Sequence, residues 1–95
     1  AVAEFMFQNG GATKRLRVDN SGHLLPGADN SQNLGASNKR WQNIYTGDLN
    51  LSNKGSTNSV DNTWGDYTIQ EGESDLYLIN NRNGKKYKFN LTEVN

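Results

Sequence analysis

There is no cysteine in this chain, and proline, methionine and histidine each occur once among its 95 residues. Without cysteine, neither disulfide staples nor thiolate metal sites can compensate for a small core. With one histidine, His23, there is little to build a catalytic base from, and nothing around it has the spacing of an orienting carboxylate or a nucleophilic hydroxyl. Net charge is also missing. Lys+Arg and Asp+Glu number 10 each, so the chain carries no electrostatic footprint for nucleic acid or for an anionic membrane. No apolar run approaches the roughly 20 residues of a membrane span. The N-terminal "AVAEFMFQNGG" has no basic region of the signal-peptide kind. Glycine-rich phosphate loops are absent as well.

Apolar residues are scarce. They make up 33% of the chain, with a mean hydropathy of -0.89, well below the roughly 45 to 50% of an ordinary domain. A chain of 10.6 kDa is one small domain at most, and a private core would be thin. The missing initiating methionine adds the expectation of a slice from something longer. Disorder is the plain alternative, but disorder of this kind goes with high net charge and few aromatics. Here the charge balances and aromatics reach 9%. The expected remedy is burial against other copies of the chain, which offsets the ordering entropy that the composition cannot otherwise meet.

What is present is strand-length runs punctuated by asparagine and glycine, which tolerate the dihedrals of tight turns. "AEFMFQ" sets Phe5 and Phe7 on one side, Asn9-Gly10 offers a two-residue turn, and "KRLRV" sets Leu16 and Val18 on one side. A further turn at Asn20 to Gly22 leads to a short Leu24-Leu25 strand ended by Pro26, which has no ladder donor. "ASNKRWQNIY" admits one or two turns of helix, with Ser37 or Asn38 as N-cap and Trp41, Ile44 and Tyr45 on one face, or equally a segment that tertiary context extends. "GDLNLSN" alternates, predicting a strand with Leu49 and Leu51 inward and Asp48, Asn50 and Ser52 outward. "KGSTNSVDNT" reads as a linker.

The last third predicts an antiparallel meander: "WGDYTIQEG", "SDLYLINN" and "KKYKFNLTEV", the last two joined across Asn83-Gly84. Tyr67 and Ile69, then either Leu76 and Leu78 or Tyr77 and Ile79, then Tyr87, Phe89 and Leu91 would line one apolar stripe. Lys85, Lys86 and Lys88 would lie on the wet face. The expected organisation is a β segment over 1–53, a linker-like stretch over 54–63 and a small meander over 64–95. The fold class is all-β, with short antiparallel strands and hairpins.

Three polar clusters carry sharper readings that the sequence does not favour. "DNSG" at Asp19 and "DNSQN" at Asp29 are rich in oxygen ligands, yet neither has EF-hand spacing, and turn formation explains both. Asp66, Glu71, Glu73 and Asp75 could be imagined as an acid/base pair for sugar cleavage, but a solvated rim is the ordinary explanation. No catalytic residue, metal ligand or cofactor is therefore assigned. The aromatics Trp41, Tyr45, Trp64, Tyr67, Tyr77 and Tyr87 suit an interchain core first and a sugar-stacking surface second.

Leu16 to Asn53, "LRVDNSGHLLPGADNSQNLGASNKRWQNIYTGDLNLSN", resembles a segment recurring in tail fibre and tailspike proteins of tailed bacteriophages, of the form "sGxilPgtdnsydLGssskrWknIYag". Gly22, Pro26, Leu34, Gly35, Arg40, Trp41, Ile44 and Tyr45 carry the match. The closing "WGDYTIQEGESDLYLINNRNGKKYKFNLTEV" is similar to the C-terminal ends of phage fibre and related structural proteins. The resemblance implies a virion component outside the cell: a homotrimeric, non-enzymatic fibre segment that supports or performs host-receptor binding. Its implied partners are its own copies, other tail proteins and a host surface glycan or outer-membrane receptor, with no nucleic acid and no membrane insertion. In many relatives a self-cleaving chaperone follows the Trp-x-x-Ile-Tyr step; that long helical region has no counterpart after Tyr45, so no cleavage residues are carried over. Leu34, Trp41, Ile44, Tyr45, Leu49, Leu51, Trp64 and Tyr67 are the expected packing residues. The rival expectations are a fragment of a carbohydrate-degrading tailspike and a monomeric β binding module.

Overall fold

A computed structural model describes residues 5–8 and 14–95. Among these, every regular element is a strand: β1 (Phe5–Gln8), β2 (Lys14–Val18), β3 (Leu24–Pro26), β4 (Leu49–Ser52), β5 (Asp66–Glu71), β6 (Leu76–Asn80) and β7 (Lys86–Lys88). The chain divides into two units, 1–42 and 43–95. Each holds one antiparallel meander, in the order β1-β2-β3 and β4-β5-β6-β7.

In the first unit Phe5 pairs with Val18 and Phe7 with Leu16, so the expected hairpin is present. The Asn9-Gly10 turn expected between its strands lies outside the described residues. β3 pairs back on β2 through Leu16↔Pro26 and Val18↔Leu24. Pro26 is tolerated because β3 is an edge strand at its last residue. The turn before it is held by the Asp19 carboxylate, whose Oδ1 accepts from the amides of Ser21 (3.0 Å) and His23 (2.9 Å). Gln32 closes the unit from the other side. Its Nε2 donates to the Arg15 carbonyl at 2.6 Å, while its Oε1 accepts from the Gly27 and Ala28 amides.

Of the two alternatives open for "ASNKRWQNIY", the helix does not form. Instead Ala36 and Lys39 exchange backbone bonds of 3.0 and 3.1 Å, which puts Ser37 and Asn38 at the centre of a tight turn and not at an N-cap. Residues 40–48 contain no regular element. So short a segment would have to meet the unfavourable helix nucleus with few propagating bonds, and Gly35, at φ +89°, favours a turn. A Cβ there would stand 3.1 Å from the Lys39 carbonyl oxygen and 3.5 Å from Cδ1 of Trp41.

The second unit is the larger sheet. β-branched and aromatic residues suit its strands, and short closed turns fix its register. The Gly72 amide donates to the Asp75 carbonyl (2.8 Å); a Cβ on Gly72 would fall 2.8 Å from the Tyr77 ring, so a side chain there would collide. At the other end Asn80 and Gly84 close the loop over 81–84, with Asn80 N donating to Lys85 O at 2.9 Å and Gly84 N to Asn80 O at 2.8 Å. Residues 54–63, expected as a linker, connect β4 to β5 within this one sheet. They are organised by Asn58: its Oδ1 accepts from the amides of Val60 and Asp61, and its Nδ2 donates to Asp61 Oδ1 at 2.8 Å and to the Thr63 carbonyl at 3.0 Å.

There is no buried apolar core among the described residues. Thr68 alone is buried, at 7% exposure, and it is polar. The expected inward placement of Leu49 and Leu51 is thus half met. They alternate with Asn50 and Ser52 as foreseen, but no second layer covers them, and they remain 45% and 48% exposed.

Candidate assembly surface

The register of the β4–β7 sheet sorts its side chains into two unlike faces. Leu49↔Ile69 and Leu51↔Tyr67 continue through Ile69↔Leu78 and Tyr67↔Asn80 to Leu78↔Tyr87, with Leu76 opposite Glu71. One face is therefore Leu49, Leu51, Tyr67, Ile69, Leu76, Leu78 and Tyr87, apolar apart from its margin. Of the two alternatives the sequence left open for the middle strand, Leu76 and Leu78 join this stripe. The opposite face carries Asn50, Thr68, Gln70, Tyr77, Ile79, Lys86 and Lys88, so Lys86 and Lys88 do lie on the wetter side.

The polar face is held by a network that sequence reading missed. Thr68 Oγ1 donates to Asn50 Oδ1 at 2.6 Å and accepts from Asn81 Nδ2 at 3.0 Å, which also reaches Asp66 Oδ1. Gln70 Nε2 donates to Asp48 Oδ2 at 3.1 Å. These bonds satisfy the one buried hydroxyl among the described residues, which would otherwise cost about 1 to 3 kcal/mol. Period-two alternation foretells a polar face but not which amide meets which hydroxyl 13 to 18 residues away.

Trp64 stands beside the apolar face. The Arg82 guanidinium stacks 3.8 Å above its ring, with Lys54 Nζ at 5.8 Å, and Arg82 Nη1 donates to the Trp64 carbonyl at 3.0 Å. Arg82 comes from the β6–β7 loop, so this contact ties that loop to the entry of β5. A shallow open concavity of about 610 Å³ lies between Trp64 and Tyr67 and is rimmed by Asn53, Asn58, Asp61 and Thr63. The rim's amide and hydroxyl groups are engaged in the loop itself. Thr63 Oγ1 donates to Asp61 Oδ1 at 2.7 Å, and Asn53 Oδ1 accepts from the Gly65 amide at 2.8 Å. Donation from Thr63 and then from Asn58 holds the Asp61 carboxyl below the usual carboxylate range. The His23 amide does the same for Asp19.

Of the eight expected packing residues, Leu49, Leu51 and Tyr67 share the apolar face and Trp64 flanks it. Ile44 and Tyr45 belong to the same unit but are 67% and 93% exposed, and with no helix they share no helical face. Leu34 and Trp41 belong to the first unit, at 71% and 64% exposure. Glu71, Glu73 and Asp75 surround the β5–β6 turn and do not line the Trp64 concavity. Among the described residues no group of three or more His, Asp or Glu side chains is placed to hold a metal ion.

No known protein family matches the chain, and no curated protein or solved structure is significantly similar to it.

Proposed function

We propose that this chain is a structural and adhesion segment of a phage tail fibre that assembles as a homotrimer, and that it supports or performs attachment to a host receptor. The observation that carries the assembly part is the seven-residue apolar face of the β4–β7 sheet, which no other element of its unit covers. A monomer would leave that face wet, at about 25 cal/mol for each Å² not removed from water. The Leu16 to Asn53 pattern supports the fibre context, with its Gly22, Pro26, Leu34-Gly35 and Trp41-x-x-Ile44-Tyr45 steps.

Attachment then works by multiplicity: three weak sites on one rigid stalk act at high effective concentration and give avidity without strong individual contacts. The deciding experiment is the solution mass by light scattering, repeated on dilution. Three times 10.6 kDa, held on dilution, is the expected result; a folded monomer overturns the assembly reading and favours a solitary binding module.

A further inference from the structure

We infer that the β4–β7 sheets of three copies join edge to edge, β7 of each pairing antiparallel with β4 of the next, into one closed wall around the apolar faces. This rests on the homotrimer reading and specifies its interface down to the register.

The topology permits closure. The sheet has four strands, an even number, with antiparallel neighbours throughout, so its two edge strands run in opposite directions. A rotation axis parallel to the strands then brings β7 of one copy alongside β4 of the next with the alternation unbroken. Neither edge has a strand neighbour among the described residues. Such a contact is heterologous and cyclic, as a three-fold assembly requires.

The backbone hydrogen bonds identify which groups are free. Asn53 N donates to Gly65 O, and Phe89 N to Leu76 O. In an antiparallel ladder bonded and non-bonded pairs alternate, so in β4 Leu49 and Leu51 bond inward to β5, leaving the N–H and C=O groups of Asn50 and Ser52 turned outward. In β7 Tyr87 bonds inward to Leu78, which turns those of Lys86 and Lys88 outward. Each edge therefore offers two residues with free groups, spaced two apart.

One register uses all of them: Asn50↔Lys88 and Ser52↔Lys86 as bonded pairs, with Leu51 facing Tyr87 between them. That same register puts Leu51 beside Tyr87 on the apolar face, and Lys86 and Lys88 beside Ser52 and Asn50 on the polar face. Lysines on an edge usually discourage pairing. Here they project from the polar face and meet neutral neighbours, so no like charges oppose one another.

Sheet width bounds the number of copies. Four strands span about 19 Å, so a triangular prism of three such sheets has its axis about 5.5 Å from each wall, close to half the roughly 10 Å spacing of packed sheets. Four copies would put the walls about 9.6 Å from the axis and leave a hollow. Two copies joined by the same seams would close as an eight-stranded barrel, whose interior side chains also fill, and the size of the covalent species below decides between two and three.

The test uses the absence of native cysteine. Leu51→Cys with Tyr87→Cys places thiols on facing positions of neighbouring copies, where Cβ atoms stand about 4.5 to 5.5 Å apart. Within one chain the same positions lie on opposite edges, about 14 Å apart, beyond disulfide reach. Oxidation should yield a covalent species of three chains on a non-reducing gel, and neither single variant should. In the unsubstituted chain, the Asn50, Ser52, Lys86 and Lys88 amides should be protected from hydrogen exchange by at least a hundredfold over free peptide. A trimer in which these four amides exchange freely overturns the edge closure and leaves the trimer standing, even if the cysteine variants misfold. Covalent species no larger than two chains also overturn it. A monomer overturns both readings.

Discussion

Replacing Leu51 by alanine separates a lone sheet from an assembled one by magnitude. In the single chain the Leu51 side chain is 48% exposed, so truncating it forfeits about half of a full burial, roughly 1 kcal/mol. In a closed interior the same truncation removes the transfer energy and leaves a cavity, costing about 3 to 4 kcal/mol at each site. The difference of about 2 to 3 kcal/mol occurs three times in a trimer, or about 6 to 9 in all. At about 1.4 kcal/mol per tenfold this is four to six decades in the dissociation constant. Because that constant carries concentration squared, the midpoint for falling apart should rise by about two to three decades. Light scattering or sedimentation across a dilution series reads this directly. Lys86→Gln, on the polar face, is the control and should move the midpoint less than threefold. Equal midpoints for Leu51→Ala and Lys86→Gln would refute the assignment of the apolar face as the interior.

Other expectations concern what holds the units themselves. Arg82→Lys keeps the charge but loses the planar stack on Trp64 and the single Nη1 hydrogen bond to its carbonyl, and should cost about 1 to 2 kcal/mol in urea unfolding followed by tryptophan emission; an unchanged midpoint would remove the clamp. Thr68→Val leaves the Asn50 and Asn81 side chains without their shared hydroxyl and should cost about 1 to 3 kcal/mol in thermal melts. Gly35→Ala must hold a side chain at φ +89° and should destabilise its turn by about 1 to 2 kcal/mol, read as faster exchange of the Ala36 amide. The carboxyls of Asp19 and Asp61 are held below the usual value. Their stabilisation is therefore complete above about pH 3.9 and is lost as pH falls through the lowered folded-state values. Amide shifts of Ser21, His23 and Thr63 should titrate below about pH 3.9, and a midpoint at or above it would contradict the bonding.

The sequence by itself determined the strands, and the faces of those that alternate. Alternation in "GDLNLSN" and "YTIQ", with turn-forming residues between, depends on neighbours a few positions away, and such local chemistry is written in order along the chain. It also determined that a private core would be meagre. The tertiary structure decided what depends on distance. It left the Trp41 to Tyr45 segment without a regular element, because a short helix with no covering face cannot offset its nucleation. It chose Leu76 and Leu78 over Tyr77 and Ile79, because register is set by pairing across turns and the middle strand is apolar on both sides. The Arg82 stack on Trp64 and the Thr68 network join residues 13 to 18 positions apart, and no local periodicity encodes such pairs. The free edge groups on Asn50, Ser52, Lys86 and Lys88 were settled in the same way: hydrogen-bond parity follows from how four strands meet, and no single strand contains it.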